Sequence, residues 1–182
     1  MLTKNNLIMY TVAIIAATFL TFFFHEMSHW IAYELLGYDA GFTLNTSSLK
    51  NSKIELSKTQ RIITSGSGPL FTILQAVVFY FILKKRNNLM LYPFLFLPFV
   101  MRFGAGIANV FQPNDEGRIS LYLGLNLYAL SFIVVSFLFF LVYKTSKREK
   151  HEIKTNIFTF IMALLLILLI SYLDNKFNLR FI

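Results

Sequence analysis

The strongest constraint on this chain is a series of long apolar runs separated by short charged clusters. Leu7 to Phe24 contains no charged residue. A bilayer core about 30 Å thick needs roughly 20 apolar residues per helix, and the pattern meets that length five times. The expected helices are Leu7 to Leu36, Ile62 to Leu83, Leu89 to Phe111, Ile119 to Tyr143 and Ile157 to Leu173. Charged residues make up 14% of the chain, against about a quarter in soluble domains, and mean hydropathy is +0.60. The chain therefore reads as an all-α polytopic membrane protein of about five transmembrane helices. It is expected to be a multi-pass protein of the cell membrane with the lipid bilayer as its surroundings. The first run resembles a signal peptide in outline, but no small-residue cleavage site follows it. It is expected to stay as a helix, with Gly37 as its stop.

Between the first two helices the pattern turns polar. Gly41 to Asn45 and Lys53 to Leu56 alternate apolar and polar residues around the turn-rich stretch Ser47 to Ser52. A short β-hairpin at the membrane surface fits this alternation, and an irregular loop fits it equally. The net charge of +8 is assigned to topology and anionic lipid, with no nucleic-acid partner expected. Lys4, the Lys84 to Arg86 turn and the loop from Lys144 to Lys154 hold nine Lys and Arg, against seven on the other side. That count favours a cytoplasmic N-terminus.

The chemistry lies in His25-Glu26-Met27-Ser28-His29. Two histidines four apart share one helical face and can reach one ion. Glu26 beside them can take a proton from a metal-bound water. Ionisable groups inside a membrane are costly and mark function. The bland alternative is a polar pair at a helix end, with Trp30 and Tyr33 marking the headgroup belt. Cysteine is absent, so a catalytic zinc site needs another third ligand. Asp115 and Glu116 lie at the correct depth, and spacing leaves both open. Asp39 and Glu55 are weaker, Glu34 points away from the histidines, and His151 is expected in a solvated loop on the far side. Arg102, within the third helix, is read as snorkelling or as pairing with an acid near the site. Gly104 and Gly106 fit a loosened backbone or close helix packing equally.

Three blocks resemble the site-2 protease family of intramembrane zinc metalloproteases. The first is Phe24-His25-Glu26-Met27-Ser28-His29, followed by Gly37. The second is Gly68-Pro69-Leu70-Phe71-Thr72, similar to a Gly-Pro-x-x-Asn element, with Thr72 at the Asn position. The third is Asn109 to Ile119, similar to an Asn-x-x-Pro…Asp-Gly stretch, with Glu116 at the usual Gly position. The resemblance implies one Zn²⁺ per chain on His25, His29 and Asp115, with Glu26 catalytic and Asn109 and Gly68 near the substrate. It implies one metalloprotease-like domain over 1–182, with a core at 7–118 and accessory helices at 119–182. It also implies regulated intramembrane proteolysis of a membrane-anchored protein or peptide precursor, and a site near the cytosolic face, opposite to the charge count. Two other readings remain: a zinc-binding membrane protein without turnover, serving as a binding or immunity partner, and a small transporter. No paired repeats of the transporter kind are visible.

Overall fold

The computed structural model describes residues 4–177 and 180–182. Its elements run α1 (Lys4–Leu35), β1 (Ala40–Phe42), β2 (Ser47–Leu49), α2 (Lys58–Lys85), α3 (Tyr92–Ala108), α4 (Asp115–Tyr122), α5 (Ala129–Arg148) and α6 (Ile153–Phe177). A 3₁₀ turn, Leu89–Leu91, leads into α3. Five helices are long and apolar enough to cross a membrane: α1, α2, the Leu89–Ala108 segment, α5 and α6. The eight-residue α4 is not one of them.

Local chemistry sets the boundaries. Gly37 ends α1 at φ +82. The Tyr38 and Gly37 amides donate back to the Tyr33 and Glu34 carbonyls (3.1 and 2.9 Å), which closes the last turn as a glycine-capped Schellman motif does. Ser57 starts α2 with a capping box: its hydroxyl accepts from the Gln60 amide, and the Gln60 side chain accepts from the Ser57 amide. These satisfy donors the first turn otherwise leaves orphaned. Because α2 begins at Lys58, Gly68 and Pro69 fall inside it rather than at its opening.

Two expectations need correction. The single helix expected from Ile119 to Tyr143 is broken into α4 and α5. Gly124 takes φ +75, and the Leu125 and Gly124 amides return to the Ser120 and Leu121 carbonyls (2.8 and 3.1 Å). This is the same glycine cap, hidden in an otherwise apolar sequence. The hairpin exists, but its second strand is Ser47–Leu49, within the stretch expected to turn, and Lys53 to Leu56 is not a strand. Ala40, Gly41 and Phe42 pair antiparallel with Leu49, Ser48 and Ser47. The true turn is Thr43 to Thr46, where the Thr43 amide donates to the Thr46 carbonyl (2.8 Å). The Thr43 hydroxyl oxygen accepts from the Thr46 amide (3.0 Å), so one threonine supplies the turn chemistry usually read from Gly or Asn.

The main core gathers Tyr10, Ile14 and Ala17 of α1, Ala76 and Leu83 of α2, and Tyr92, Leu95, Leu97 and Val100 of α3. Phe96 of α3, Leu138, Leu141 and Val142 of α5 and Ala163 of α6 complete it. α1, α2 and α3 pack mutually, while α6 leans mainly on α1 and α3. Large apolar side chains on the outer faces, among them Val12, Leu70, Phe132, Phe139 and Leu165, are exposed. Such continuous apolar surface on long helices is what a bilayer covers.

Candidate metal centre

The two histidines of α1 and the first residue of α4 converge. His25 Nε2 and His29 Nε2 are 3.1 Å apart. Asp115 Oδ2 lies 3.3 Å from the first and 3.5 Å from the second. All three residues are buried, and as a group they could hold a metal ion. An ion bound tetrahedrally at 2.0–2.1 Å sets neighbouring ligand atoms about 3.3 Å apart, and the edges of the triangle lie close to that value. Two imidazoles and one carboxylate also form a donor set that suits zinc.

The helical register explains the histidines: residues four apart stack on one face. His29 is further fixed by its outer nitrogen. Nδ1–H donates to the Thr64 carbonyl of α2 (2.5 Å), and the Ser67 hydroxyl donates to the same carbonyl (2.9 Å). This bond sets the tautomer that leaves the Nε2 lone pair toward the cluster. Thr64 was not singled out from the sequence, because the partner is a backbone carbonyl and carries no residue-type signal. His25 Nδ1 is buried with no hydrogen-bond partner among the described residues.

Gly68 packs against the Nε2 edge of both rings. A Cβ there would overlap His29 Nε2 and His25 Cε1. Its role is therefore steric, to let α2 approach the imidazoles. Asp115 opens α4, where a negative charge also suits the helix N-terminus. Burial opposes its charge, but its contacts with the two imidazoles outweigh that and hold the carboxyl well below the usual carboxylate range. Arg118 clamps the other oxygen, Oδ1, at 2.7 Å, leaving Oδ2 to the histidines.

Glu26 is buried and lines a cavity in front of the cluster. Its Oε1 lies 3.9 Å from His25 Nε2, beside the cluster and outside the ligand triangle. Glu116 is also buried but is not among the grouped ligands. It faces Arg102, whose Nη1 is 3.3 Å from both Glu116 oxygens and 3.1 Å from Asp115 Oδ2. Arg102 thus pairs with acids at the site and does not snorkel.

Asn109 is engaged within the fold. Its side-chain Nδ2 donates to Ser131 Oγ (3.0 Å), and its Oδ1 accepts from the Asn114 backbone N–H (2.7 Å). It holds the loop that delivers Asp115, and both ends of its side chain are used in doing so. The Asn114 side chain donates to the Ala105 carbonyl (3.0 Å) and ties the same loop to α3. α3 stays helical through Ala108, past Gly104 and Gly106, and Gly106 faces Ser131 of α5 at ordinary contact distance. Glu34 accepts from the Ala40 amide, outside the site. His151 departs from its expected place in a solvated loop: it is half-buried with its ring against Tyr92, centroids 4.4 Å apart. Burial lowers its pKa, with Glu149 opposing the shift. Trp30 packs on Phe42 of β1, and Tyr33 lines the cavity.

A cavity of about 580 Å³ opens onto the cluster. α1 supplies Glu26 and Tyr33, α3 supplies Met101 and Arg102, and α6 supplies Leu168 and Ser171. Asn45, Thr46 and Ser47 of the hairpin line it as well. Such a space has the size and mixed lining of a ligand site. Asp174, at the end of an apolar run, was not singled out from the sequence. It anchors this wall from α6, accepting from Thr43 Oγ1 (2.6 Å) and the Leu44 amide (3.2 Å). Ser171 adds a hydroxyl bond to the Asn45 side chain (3.1 Å). An ionisable residue within a helix of such high hydropathy was the available signal. Comparison with protein-family models, with curated proteins and with solved structures finds no match to this chain.

Proposed function

We propose that this chain is an intramembrane zinc endopeptidase of the site-2 protease kind, cutting a peptide bond in or near a transmembrane segment of a membrane-anchored substrate. The observation that carries the reading is the ligand triangle of His25, His29 and Asp115, with edges of 3.1, 3.3 and 3.5 Å and Glu26 buried next to it. Three protein ligands and an open fourth position are the pattern of a catalytic rather than a structural zinc site. When bound, the ion acidifies a water molecule and polarises the scissile carbonyl. Glu26 is the residue that would take a proton from the attacking water and deliver it to the departing amine nitrogen.

A helical substrate hides its peptide bonds and must unwind to reach the site. β1 is covered on one edge by β2 and on the other by the tail, whose Phe181 amide donates to the Phe42 carbonyl (3.0 Å). β2 is then the edge strand, and its first residue, Ser47, lines the cavity. An unwound substrate strand added there would be held by backbone hydrogen bonds irrespective of its side chains.

The test replaces Glu26 with Gln and follows cleavage of a model transmembrane peptide in liposomes. Cleavage should fall about 10² to 10⁴-fold, the usual share of a general base, with zinc content still near one per chain. Unchanged cleavage that also survives chelation would sink the mechanism. Zinc without any turnover by the unaltered chain would instead identify a binding protein.

A further inference from the structure

Two carboxylates, Asp115 and Glu116, stand side by side in the first turn of α4, and both are buried. Only Asp115 reaches the imidazoles. Glu116 has one more methylene and lies next to the same cluster, so its exclusion from the ligand triangle needs a cause. Arg102 supplies one. Its Nη1 is 3.3 Å from both Glu116 oxygens, 3.1 Å from Asp115 Oδ2, and its Nη2 is 3.5 Å from His25 Nε2. Arg102 is 3% exposed and its Nε has no partner among the described residues. A guanidinium so buried needs an opposite charge close by.

The oxygen that Arg102 shares with the histidines, Asp115 Oδ2, is the one a metal ion would take. Arg102 donates to that oxygen (3.1 Å) while sharing the same Nη1 with Glu116, so it competes with a cation there more strongly the less of its charge Glu116 takes. Glu116 stands outside the candidate ligand group but is joined to Asp115 through Arg102, and were it to swing in, four protein ligands would make a closed zinc site with no position for water. We propose that Arg102 and Glu116 form a neutralising pair that keeps the metal centre at three protein ligands: Arg102 withholds Glu116 from the ion, and Glu116 takes a share of the charge that Arg102 would otherwise present to Asp115 alone. Both are positioning residues that act through the ligand set. The inference rests on the zinc reading above and adds the reason why the fourth position stays open.

The two single substitutions have opposite signs on metal affinity. Arg102→Gln frees Glu116 to ligate, so zinc binds about tenfold more tightly, within the range outer partners of metal ligands command. Glu116→Gln leaves Asp115 as the only carboxylate facing Arg102 Nη1, so zinc binds about tenfold more weakly. In the double variant both faults vanish together, and affinity returns to within about threefold of the unaltered chain, the residue of non-additivity expected for contacting groups. A role in folding alone would not move the two singles in opposite directions.

The experiment uses the full chain in detergent. Zinc affinity is read by competition with a chromogenic chelator, and the open position by the visible spectrum of the Co²⁺-loaded chain titrated with azide. Azide should perturb the spectrum of the unaltered chain, of Glu116→Gln and of the double variant, but not that of Arg102→Gln. The pair is overturned if both singles shift affinity the same way, or if Arg102→Gln answers azide as the unaltered chain does. Should Arg102→Gln fail to fold, Glu116→Gln decides alone: zinc binding unchanged or tighter overturns the proposal. An unaltered chain that takes up neither zinc nor cobalt removes the metal reading itself. One that binds them identically with and without the substitutions removes only the pair.

Discussion

Gly68 is the residue on which the centre depends sterically. A methyl group there would occupy the space of the His25 and His29 rings, and neither ring can retreat far. His29 is tethered through Nδ1 to the Thr64 carbonyl of α2, and His25 has Arg102 Nη2 3.5 Å from its Nε2. Forcing an extra carbon into such a contact costs about 1–3 kcal/mol. Gly68→Ala should therefore lower the thermal midpoint and at the same time displace the imidazoles, with loss of bound zinc measured by metal analysis. Gly66→Ala, on the same helix, is the control. Its added carbon would meet only the end of the Ile119 side chain at 3.6 Å, so zinc content should be unchanged. Full zinc retention by the Gly68→Ala chain would show that α2 can shift away.

At the scale of elements, the hairpin is held by a helix that otherwise packs lightly. α6 contributes Asp174 to the Thr43 hydroxyl and Leu44 amide, and Ser171 to Asn45. These bonds fix the turn that precedes β2, the edge strand along the cavity. Removing the carboxylate leaves a buried hydroxyl and amide without their acceptor, which costs about 1–3 kcal/mol. Asp174→Ala should speed amide hydrogen exchange in the stretch 43–48 while leaving α1 protected. If a substrate strand adds to β2, the same change should raise KM with little effect on kcat, since it touches no reacting atom. An exchange pattern identical to that of the unaltered chain would detach α6 from the hairpin. The break between α4 and α5 matters at this scale too. Gly124 ends α4 after eight residues, so the Asp115 helix is a short bracket beside the site and not the start of a span.

For the molecule as a whole, the cluster is where four elements meet: His25 and His29 from α1, Gly68 from α2, Arg102 from α3 and Asp115 from α4. An ion that binds only this folded arrangement stabilises it, by about 2.7 kcal/mol when free zinc is a hundred times Kd. In a chain of this size each kcal/mol moves the midpoint by about 2–4 °C. Chelation should then lower the thermal midpoint by about 5–10 °C and should have no effect on a His25→Ala chain. A midpoint indifferent to chelator would mean that the cluster holds no tightly bound ion.

Periodicity and length carried the long-range plan. Apolar runs long enough to span a bilayer can be satisfied by backbone hydrogen bonds only as helices, so α1, α2, α3 and α6 were legible from hydropathy alone. His25 and His29 were legible because helical spacing by itself puts them on one face. Where the sequence carried two weak signals, local contacts decided. Thr43, and no glycine, supplied the hairpin turn, which moved β2 into the stretch expected to bend. Gly124 was an isolated glycine in an apolar run, and only its left-handed backbone made it a helix end. The choice between Asp115 and Glu116 was closed to sequence, because adjacent residues at a helix start differ by a rotation about the helix axis. That rotation is set by the Asn109 and Asn114 bonds that hang the loop on α3 and α5. The sequence by itself determined a membrane-length helical chain with one face of paired imidazoles. The tertiary structure alone decided which carboxylate meets them and where Arg102 places its charge, because both depend on how separate helices rotate against each other, which no spacing along one chain encodes.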